Sequence, residues 1–412
     1  GRKSITAIVC TYNRSAFLAE ALDSIAAQTR TVDEIIVWDD GSTDDTESVA
    51  QNARQPVHYF RSENGGKAKA LNQAIARAEG DRIWICDDDD ITLPEAAETL
   101  SQLLDDNPHA GVAAGCYSRF TVNPETGERD LMGPGFWPEL GTGSALRHIL
   151  EDIFIFQNAT LVDRTRYDEV GPFREDLARS IDYEMLVRLA VCYPVVVTEK
   201  VLFLQRKHDG ARGPAAARHA AEKSEEVWKA TDRQIFAEFR EQLPLELYVA
   251  MYSSSDPQGA LRAGLLQRAC VYARRTDWPA ALDDFRAAAE LTPSVPLSVV
   301  EKNICRRAVS GKHGVREMLD RPNRRALHKL AAGSPVGAEI AASLARGLVW
   351  RVRKAVGWGG AAQALRLSGI AGELLLAGRA RKARGDASDV TELKNVPRSG
   401  PLPIRSAPQS GD

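Results

Sequence analysis

Residues 82–94 read RIWICDDDDITLP, an apolar run that leads directly into four consecutive aspartates. The run predicts a buried strand. Four adjacent carboxylates repel one another unless a cation or solvent screens them. Their hard oxygens suit Mg²⁺ or Mn²⁺, which complete their coordination with water and phosphate groups. The alternative is a solvated acidic loop that caps the helix predicted from Pro94, since negative charge is favoured at a helix N-terminus.

A second acidic cluster lies upstream, in IIVWDDGSTDDT at residues 35–46. A tight turn explains Gly41, which can adopt positive φ, and a helix cap explains the hydroxyl residues that follow it. Neither explains why Asp39 and Asp40 precede them. Carboxylates at a strand end can accept hydrogen bonds from the N–H of a nucleotide base or from ribose hydroxyls.

The order of the predicted elements indicates an α/β fold. Strand and helix alternate four times in about the first hundred residues, which predicts a parallel sheet with crossover helices. Ligands gather at the carboxyl ends of such strands, where both acidic clusters lie. We expect further strands near residues 110–120, 159–162 and 195–204, and a helix over 182–192.

The C-terminal half is predicted to be helical. Residues 214–333 are Ala-rich and contain one tetratricopeptide-like hairpin at about 262–294, without a repeat in the flanking windows. A single hairpin cannot bury its own face, so a helical pair packed on the rest of the chain is favoured over a peptide-binding array. Residues 334–384 predict basic amphipathic helices, and the Pro-, Ser- and Gly-rich residues 385–412 predict a disordered tail.

The composition is that of a globular protein, which excludes collagen-like, mucin-like and wholly disordered classes: of 412 residues, 44% are hydrophobic and 26% are charged. The net charge of -3 conceals an asymmetry, because Lys302–Arg384 carries 18 basic and 4 acidic residues and the remainder is strongly acidic. The basic part has no recognised nucleic-acid motif, so no nucleic-acid partner is expected.

Four motifs follow one another in the order and spacing of family 2 glycosyltransferases. They are TYNR at 11–14, DDGSTDDT at 39–46, NGGKAKALNQAI at 64–75 and IWICDDDDITLP at 83–94. Residues 4 to about 208, half of the chain, resemble this family. The resemblance implies a GT-A catalytic domain over 1–213, with a Rossmann-like, mixed and mostly parallel sheet and flanking helices, followed by an α-helical C-terminal region.

The resemblance also implies a nucleotide-binding set, whose members are Thr11, Tyr12, Asp39, Asp40, Lys67, Asp87 and Asp88. Asp40 is the expected base contact, and Asp87 the one nearer the ribose. Asp89 and His208 are the implied metal ligands, although His208 could equally be an exposed loop residue. Because the four residues are identical, the family motif can be aligned on them in more than one way, and Asp88 and Asp90 could share these roles.

Asp182 aligns with the catalytic base of the family. Ile181-Asp182 departs from the family's usual Glu-Asp or Gly-Asp pair, which leaves open whether Glu184 or Glu175 substitutes. The reaction needs one carboxylate that removes the proton of the acceptor hydroxyl as it attacks the anomeric carbon. The alternative for Asp182 is a helix N-cap.

The implied function is metal-dependent, inverting sugar transfer with Mn²⁺ or Mg²⁺. The donor is a nucleotide-diphosphate sugar, with a UDP-sugar preferred, and the acceptor a glycan or lipid-linked glycan in bacterial surface polysaccharide, LPS or capsule synthesis. The Q-x-x-R-W motif of processive synthases is absent, which favours single-sugar transfer. A protein glycosyltransferase and a catalytically inactive GT-A scaffold are the alternatives.

The expected location is the cytoplasm, with peripheral attachment to the inner face of the membrane as an option. The N-terminal residues show no leader pattern, and six dispersed cysteines without a C-x-x-C pair fit a reducing compartment. Within residues 341–356, Leu344, Leu348 and Val349 share one face while Arg346 and Arg353 flank Trp350. Such a helix either lies on an anionic membrane surface, through residues 341–384, or packs its apolar face on the catalytic domain.

Overall fold

The structure, a computed structural model, describes residues 1–208, 215–357, 360–379 and 383–396. The chain divides into two compact units. The first comprises residues 1–139 and 153–231, together with 398–412, which lie outside the described residues. The second comprises residues 140–152 and 232–397. The sequence does not predict that residues 140–152 belong with the helical unit.

The first unit is built on a nine-stranded mixed sheet. Its strands are β1 (Ile5–Thr11), β2 (Glu34–Asp39), β3 (His58–Arg61), β4 (Arg82–Asp87), β5 (Ile91–Thr92), β6 (Val112–Val122), β7 (Arg129–Pro134), β8 (Thr160–Asp163) and β9 (Val195–Arg206). The order across the sheet is β3-β2-β1-β4-β8-β6-β9-β5, and β7 pairs with β6. The predicted later strands are therefore present within two residues of their expected starts.

Helices follow the strands as the alternation predicts. They are α1 (Ser15–Ala26), α2 (Thr46–Gln51), α3 (Lys67–Arg77), α4 (Ala96–Asp106), α6 (Arg164–Val170) and α7 (Ile181–Cys192), with a 3₁₀ turn at Gln157–Ala159. Apolar residues at helical spacing bury one face of each longer helix. Leu18, Leu22 and Ile25 of α1 are examples, and they join Trp84 of β4 in the core of this unit.

The pairing of β1 with its neighbours positions the site. β1 lies parallel to both β2 and β4, with Thr11 opposite Asp39 and Cys10 opposite Asp87. The carboxyl ends of these strands therefore meet at one edge of the sheet, as the sequence predicts. Four of the eight pairings in the sheet are parallel and four antiparallel, so the predicted mixed sheet is confirmed, with its parallel part concentrated in β1–β4.

The second unit is helical. Its helices are α5 (Ala145–Glu151), α9 (Leu245–Val249), α10 (Pro257–Arg274), α11 (Trp278–Leu291), α12 (Val299–Ala308), α13 (Val315–Met318), α14 (Arg321–Gly333), α15 (Pro335–Gly357) and α16 (Ala361–Arg379), and α8 (Ala215–Gln242) crosses the division between the units. Helices α10 and α11 pack against each other, and the tetratricopeptide-like character of this pair stays a prediction. Ala269, Tyr272, Phe285 and Ala288 are fully buried there.

Helix α15 differs from the sequence expectation in where its apolar face lies. Leu344 and Leu348 are buried, and α15 packs on α11, α12, α14 and α16 of its own unit. Val349, expected on the apolar face, is instead 41% exposed. Its position beside Trp350 places it at the outer edge of the buried stripe. No helix among the described residues combines the length and apolar character needed to cross a membrane.

The prediction of a disordered tail over 385–412 is wrong for its first part. Short strands β10 (Tyr252–Ser253) and β11 (Thr391–Glu392) pair antiparallel. Val390 is buried, and the Asp389 carboxylate accepts hydrogen bonds from Ser254 and Ser255. These contacts order the segment around Val390, although its polar composition predicts disorder. Residues 397–412 lie outside the described residues.

Candidate functional site

The end of β1 contacts the acidic run that follows β4. The Thr11 hydroxyl donates a hydrogen bond to Asp88 Oδ2 at 2.8 Å, and both residues are buried. Arg14 donates to Asp88 Oδ1 at 3.2 Å and to Asp89 Oδ2 at 3.0 Å. Tyr12, which follows Thr11, is 47% exposed. The TYNR motif therefore presents an aromatic ring to solvent and a cation to the aspartates.

Asp39 and Asp40 use their carboxylates to hold loops in place. Asp39 is 1% exposed and accepts hydrogen bonds from the Ser42 backbone N–H and the Tyr59 hydroxyl. Asp40 accepts hydrogen bonds from the backbone N–H groups of Gly65 and Gly66, at 2.8 and 2.9 Å. A nucleotide contact by either residue stays a prediction, and both have a loop-forming function that the sequence does not reveal.

Lys67 joins residues that are distant in sequence. Its Nζ lies 2.6 Å from Asp87 Oδ1 at the end of β4. Burial disfavours the charged amine, but the carboxylates of Asp87 and Asp182 outweigh it and raise the pKa of Lys67. Lys67 is thus a protonated cation between the strand end and helix α7.

The four aspartates are not equivalent. Asp88 and Asp90 are buried, and burial raises the pKa of Asp88 to about 6. Burial, with Asp87 and Asp89 nearby, raises the pKa of Asp90 to about 8, while the Arg206 backbone N–H donates to its Oδ1. Asp87 and Asp89 have the more accessible side chains, 32% and 16% exposed. The accessible pair consists of Asp87, which the resemblance places near the ribose, and Asp89, which it makes a metal ligand.

Asp89 and His208 lie side by side at the predicted metal site. His208 Nε2 is 2.8 Å from Asp89 Oδ2, and the His208 side chain is 51% exposed. This O···N separation suits neighbouring ligands of an octahedral Mg²⁺, which lie roughly 3 Å apart for bonds of about 2.1 Å. Among the described residues, no group of three or more His, Cys, Asp or Glu is arranged to hold a metal ion. The pair fits an ion that completes its shell with water and phosphate oxygens.

Asp182 lies in the first turn of α7, and the residue at the N-cap position is Ser180. The alternative that Asp182 is the N-cap is therefore wrong. Glu184 is buried against Arg188, with an Nε–Oε1 distance of 2.9 Å, and Glu175 Oε1 accepts a hydrogen bond from Asn72. The charge of Asp182 acts on Lys67.

Two asparagines shape the site through contacts that no sequence pattern indicates. Asn72 of α3 bonds the backbone N–H and C=O of Phe173, which ties the segment before α7 to the helix that begins with Lys67. Asn158 is fully buried, and its Oδ1 accepts a hydrogen bond from the Asp87 backbone N–H. Its position in a short turn after apolar residues gives no sequence signal of this contact.

The sequence of this chain is similar to those of known glycosyltransferases. The family model described as Glycosyl transferase family 2 matches residues 6–166. An uncharacterized glycosyltransferase of Rickettsia typhi is 28% identical over 54% of this chain and 70% of that protein. A chondroitin synthase of Escherichia coli is 27% identical over 48% of this chain and 28% of its own length.

The matches do not extend over whole proteins in every case. The chain spans 36% of a Rickettsia felis glycosyltransferase to which it is 28% identical. Among solved structures, a mannosyltransferase from Pyrobaculum calidifontis in complex with GDP-Man and Mn²⁺ is 20% identical, with a TM-score of 0.46 over 84% of this chain and 88% of that one. Asp182 and His208 lie beyond the segment that the family model matches. The chain contains a glycosyltransferase domain of family 2, spanning residues 6–166.

Proposed function

We propose that this chain is a metal-dependent, inverting glycosyltransferase that moves a sugar from a nucleotide-diphosphate sugar to a hydroxyl group of its acceptor. The observation that carries the proposal is the position of Lys67. Its amine forms an ion pair with Asp87, and the negative charge of Asp182 also raises its pKa. This position of Lys67 supports one shared site for the Asp87 carboxylate at the strand end and the Asp182 carboxylate on α7. Donor binding and proton removal need these two groups close to each other.

In the proposed reaction, Asp182 takes the proton of the acceptor hydroxyl as that oxygen attacks the anomeric carbon. The bond from this carbon to the diphosphate oxygen breaks on the opposite face, which inverts the configuration. A divalent cation held by Asp89 and His208 would neutralise charge on the departing diphosphate. Lys67 holds Asp87 through an ion pair, and its positive charge offsets the negative charge of Asp182.

The preferred donor is a UDP-sugar. The exposed ring of Tyr12 offers a flat surface for a base at the end of β1, and Asp39 and Asp40 shape the neighbouring loops. Activity of the purified chain against a panel of nucleotide sugars, with Mn²⁺, Mg²⁺ or EDTA, tests donor and metal together. Anomeric configuration in the product, read by NMR coupling constants, tests inversion. Hydrolysis of no nucleotide sugar and no metal-dependent transfer would favour the inactive scaffold instead.

Asp182→Asn should lower kcat by a factor of about 10²–10⁴, the range expected for loss of a general base, and leave UDP binding nearly unchanged. Glu175→Gln is the matched control, because Glu175 is a nearby exposed carboxylate that bonds Asn72. Full activity in Asp182→Asn, or loss of activity in Glu175→Gln, would show that Asp182 is not the general base.

The acceptor we propose is a glycan or lipid-linked glycan of a bacterial surface polysaccharide, LPS or capsule. A protein acceptor is the alternative, because the α10–α11 hairpin resembles a peptide-binding unit. Adding lipid-linked glycans, free oligosaccharides and unfolded polypeptide in separate assays distinguishes these classes. Incorporation of sugar into polypeptide alone would replace the glycan proposal.

We further propose a cytoplasmic enzyme whose basic helices contact an anionic membrane through residues 341–384, of which 358–359 and 380–382 lie outside the described residues. The support is an exposed stripe on α15, where Arg346, Val349, Trp350 and Arg353 recur at helical spacing. No acidic residue lies between Glu339 and Glu373. The full chain should co-sediment with anionic but not neutral liposomes, and Arg346→Glu with Arg353→Glu should abolish that difference. Equal sedimentation with both would contradict it.

A further inference from the structure

We propose that Arg14 is an exchangeable counter-cation for Asp89. It pairs with this carboxylate in the structure, and it moves to the diphosphate of the donor when a divalent cation binds Asp89. The inference rests on the proposed metal-dependent function, and it assigns to Arg14 a role beyond that of the ligands Asp89 and His208.

One oxygen atom is shared by two basic side chains. Arg14 Nη1 lies 3.0 Å from Asp89 Oδ2, and His208 Nε2 lies 2.8 Å from the same atom. Arg14 Nη1 also lies 3.2 Å from Asp88 Oδ1. A single guanidinium nitrogen therefore bridges two neighbouring carboxylates at the point where the metal is proposed to bind.

A divalent cation and the guanidinium compete for this oxygen. A metal ion bound to Asp89 Oδ2 would stand within a few ångströms of the Arg14 charge, and like charges at that distance repel strongly. His208 carries no such conflict when its ring is neutral, because neutral imidazole is a metal ligand. Metal binding should therefore expel Arg14 from Asp89 and retain His208.

The surroundings of Arg14 permit this exchange. Its side chain is 46% exposed, and the residue occupies the N-cap position of α1 without making a side-chain capping bond. Asp88 keeps a second partner, the Thr11 hydroxyl at 2.8 Å, when Arg14 leaves. A guanidinium released beside the metal is suited to bind phosphate oxygens in a fork geometry.

The test combines metal binding without nucleotide and nucleotide binding with metal. Arg14→Gln in the full chain should bind Mn²⁺ alone about three- to tenfold more tightly, read by the electron paramagnetic resonance signal of free Mn²⁺, because the competing charge is gone. The same variant should bind UDP about three- to tenfold more weakly at saturating Mn²⁺, because a phosphate contact is lost. Arg14→Lys should give intermediate values for both.

Arg2→Gln is the control, since Arg2 forms an ion pair with Asp33 at the same 3.0 Å distance, remote from the acidic run in sequence. Unchanged or weaker Mn²⁺ binding by Arg14→Gln, with a melting temperature equal to that of Arg2→Gln, would overturn the inference and leave the metal site intact. Failure of the unmodified chain to bind Mn²⁺ with or without UDP would overturn the proposed metal dependence, and this inference with it.

Discussion

The Nζ atom of Lys67 lies 2.6 Å from Oδ1 of Asp87, which couples the first residue of α3 to the last residue of β4. The loop that delivers Lys67 is held by Asp40 through the N–H groups of Gly65 and Gly66. Gly66 has φ of 90°, a conformation that glycine adopts without strain. The DDGS and NGGK motifs therefore act together to place one cation.

Lys67→Gln should reduce kcat/KM about 10²-fold, because it removes a charge from between Asp87 and Asp182 and leaves their carboxylates to repel each other. Lys69→Gln is the matched control, since Lys69 is an exposed lysine of the same helix. Steady-state kinetics with the active donor measure both. Equal losses in the two variants would mean that a general disturbance of α3, and not the loss of the Lys67 charge, lowers the activity.

Asp40→Asn should loosen the Gly65-Gly66 loop. The amide retains one acceptor oxygen and turns an NH₂ group toward the other backbone N–H, so one of two hydrogen bonds is lost, worth about 0.5–1.5 kcal/mol. Hydrogen exchange of residues 62–68 should then accelerate by up to about tenfold in the free protein. Asp81→Asn, which changes a carboxylate bonded to Ser4, is the control. Weaker UDP binding with unaltered exchange would instead make Asp40 a direct base contact.

Periodicity and strand-end chemistry predict the sheet and the edge that carries the site, because both depend on local patterns. Thr11, Asp39 and Asp87 end neighbouring parallel strands, and a register of adjacent apolar runs is enough to bring them together. The roles of Asp39 and Asp40 as loop anchors could not be predicted in this way. Their partners, Tyr59 on β3 and Gly65 in the loop before α3, are brought to them only when the chain has folded.

Contacts distant in sequence are also beyond reach of local patterns. Asn72 bonds Phe173, and Asn158 bonds the Asp87 backbone. Asn72 lies within the NGGKAKALNQAI motif, but the local sequence indicates neither contact. The same holds for residues 140–152, in which Glu151 pairs with Arg307 of the helical unit. Val390 illustrates a further limit, since its burial, the β10–β11 pairing and the hydrogen bonds of Asp389 together order part of a segment whose composition predicts disorder.

Asp89→Asn should abolish most of the enhancement that Mn²⁺ gives to UDP binding, because the neutral amide is a poorer ligand than a carboxylate. His208→Gln should weaken it by a smaller factor, since the imidazole is half exposed and one of two proposed protein ligands. Calorimetric titration of UDP with Mn²⁺ and with EDTA measures the enhancement. His109→Gln is the control, because His109 is an exposed histidine in the segment between α4 and β6. A full Mn²⁺ enhancement in Asp89→Asn would exclude Asp89 as the ligand.

Glu151 is the centre of the ionic cluster that holds α5 in the helical unit. Its carboxylate is 4% exposed and contacts Arg147 and Arg307 at 3.0 Å, while Gln267 donates to it at 2.9 Å. Burial alone would raise the pKa of Glu151, but Arg307, Arg147 and Arg274 outweigh it and hold this pKa well below its usual value.

A lowered pKa in the folded state means that the Glu151 charge stabilises the fold at any pH above the pKa of the unfolded state, near 4.5. That stabilisation is lost as the pH falls below this value, toward the folded pKa. Glu151→Gln should therefore cost about 3–5 kcal/mol at pH 7, because buried arginines lose their partner, and the difference from the unmodified chain should shrink below pH 4.5. Urea unfolding of the full chain at several pH values measures this, with exposed Glu290→Gln as control. A difference that stays constant down to pH 3 would show that packing, and not the Glu151 charge, holds α5 in place.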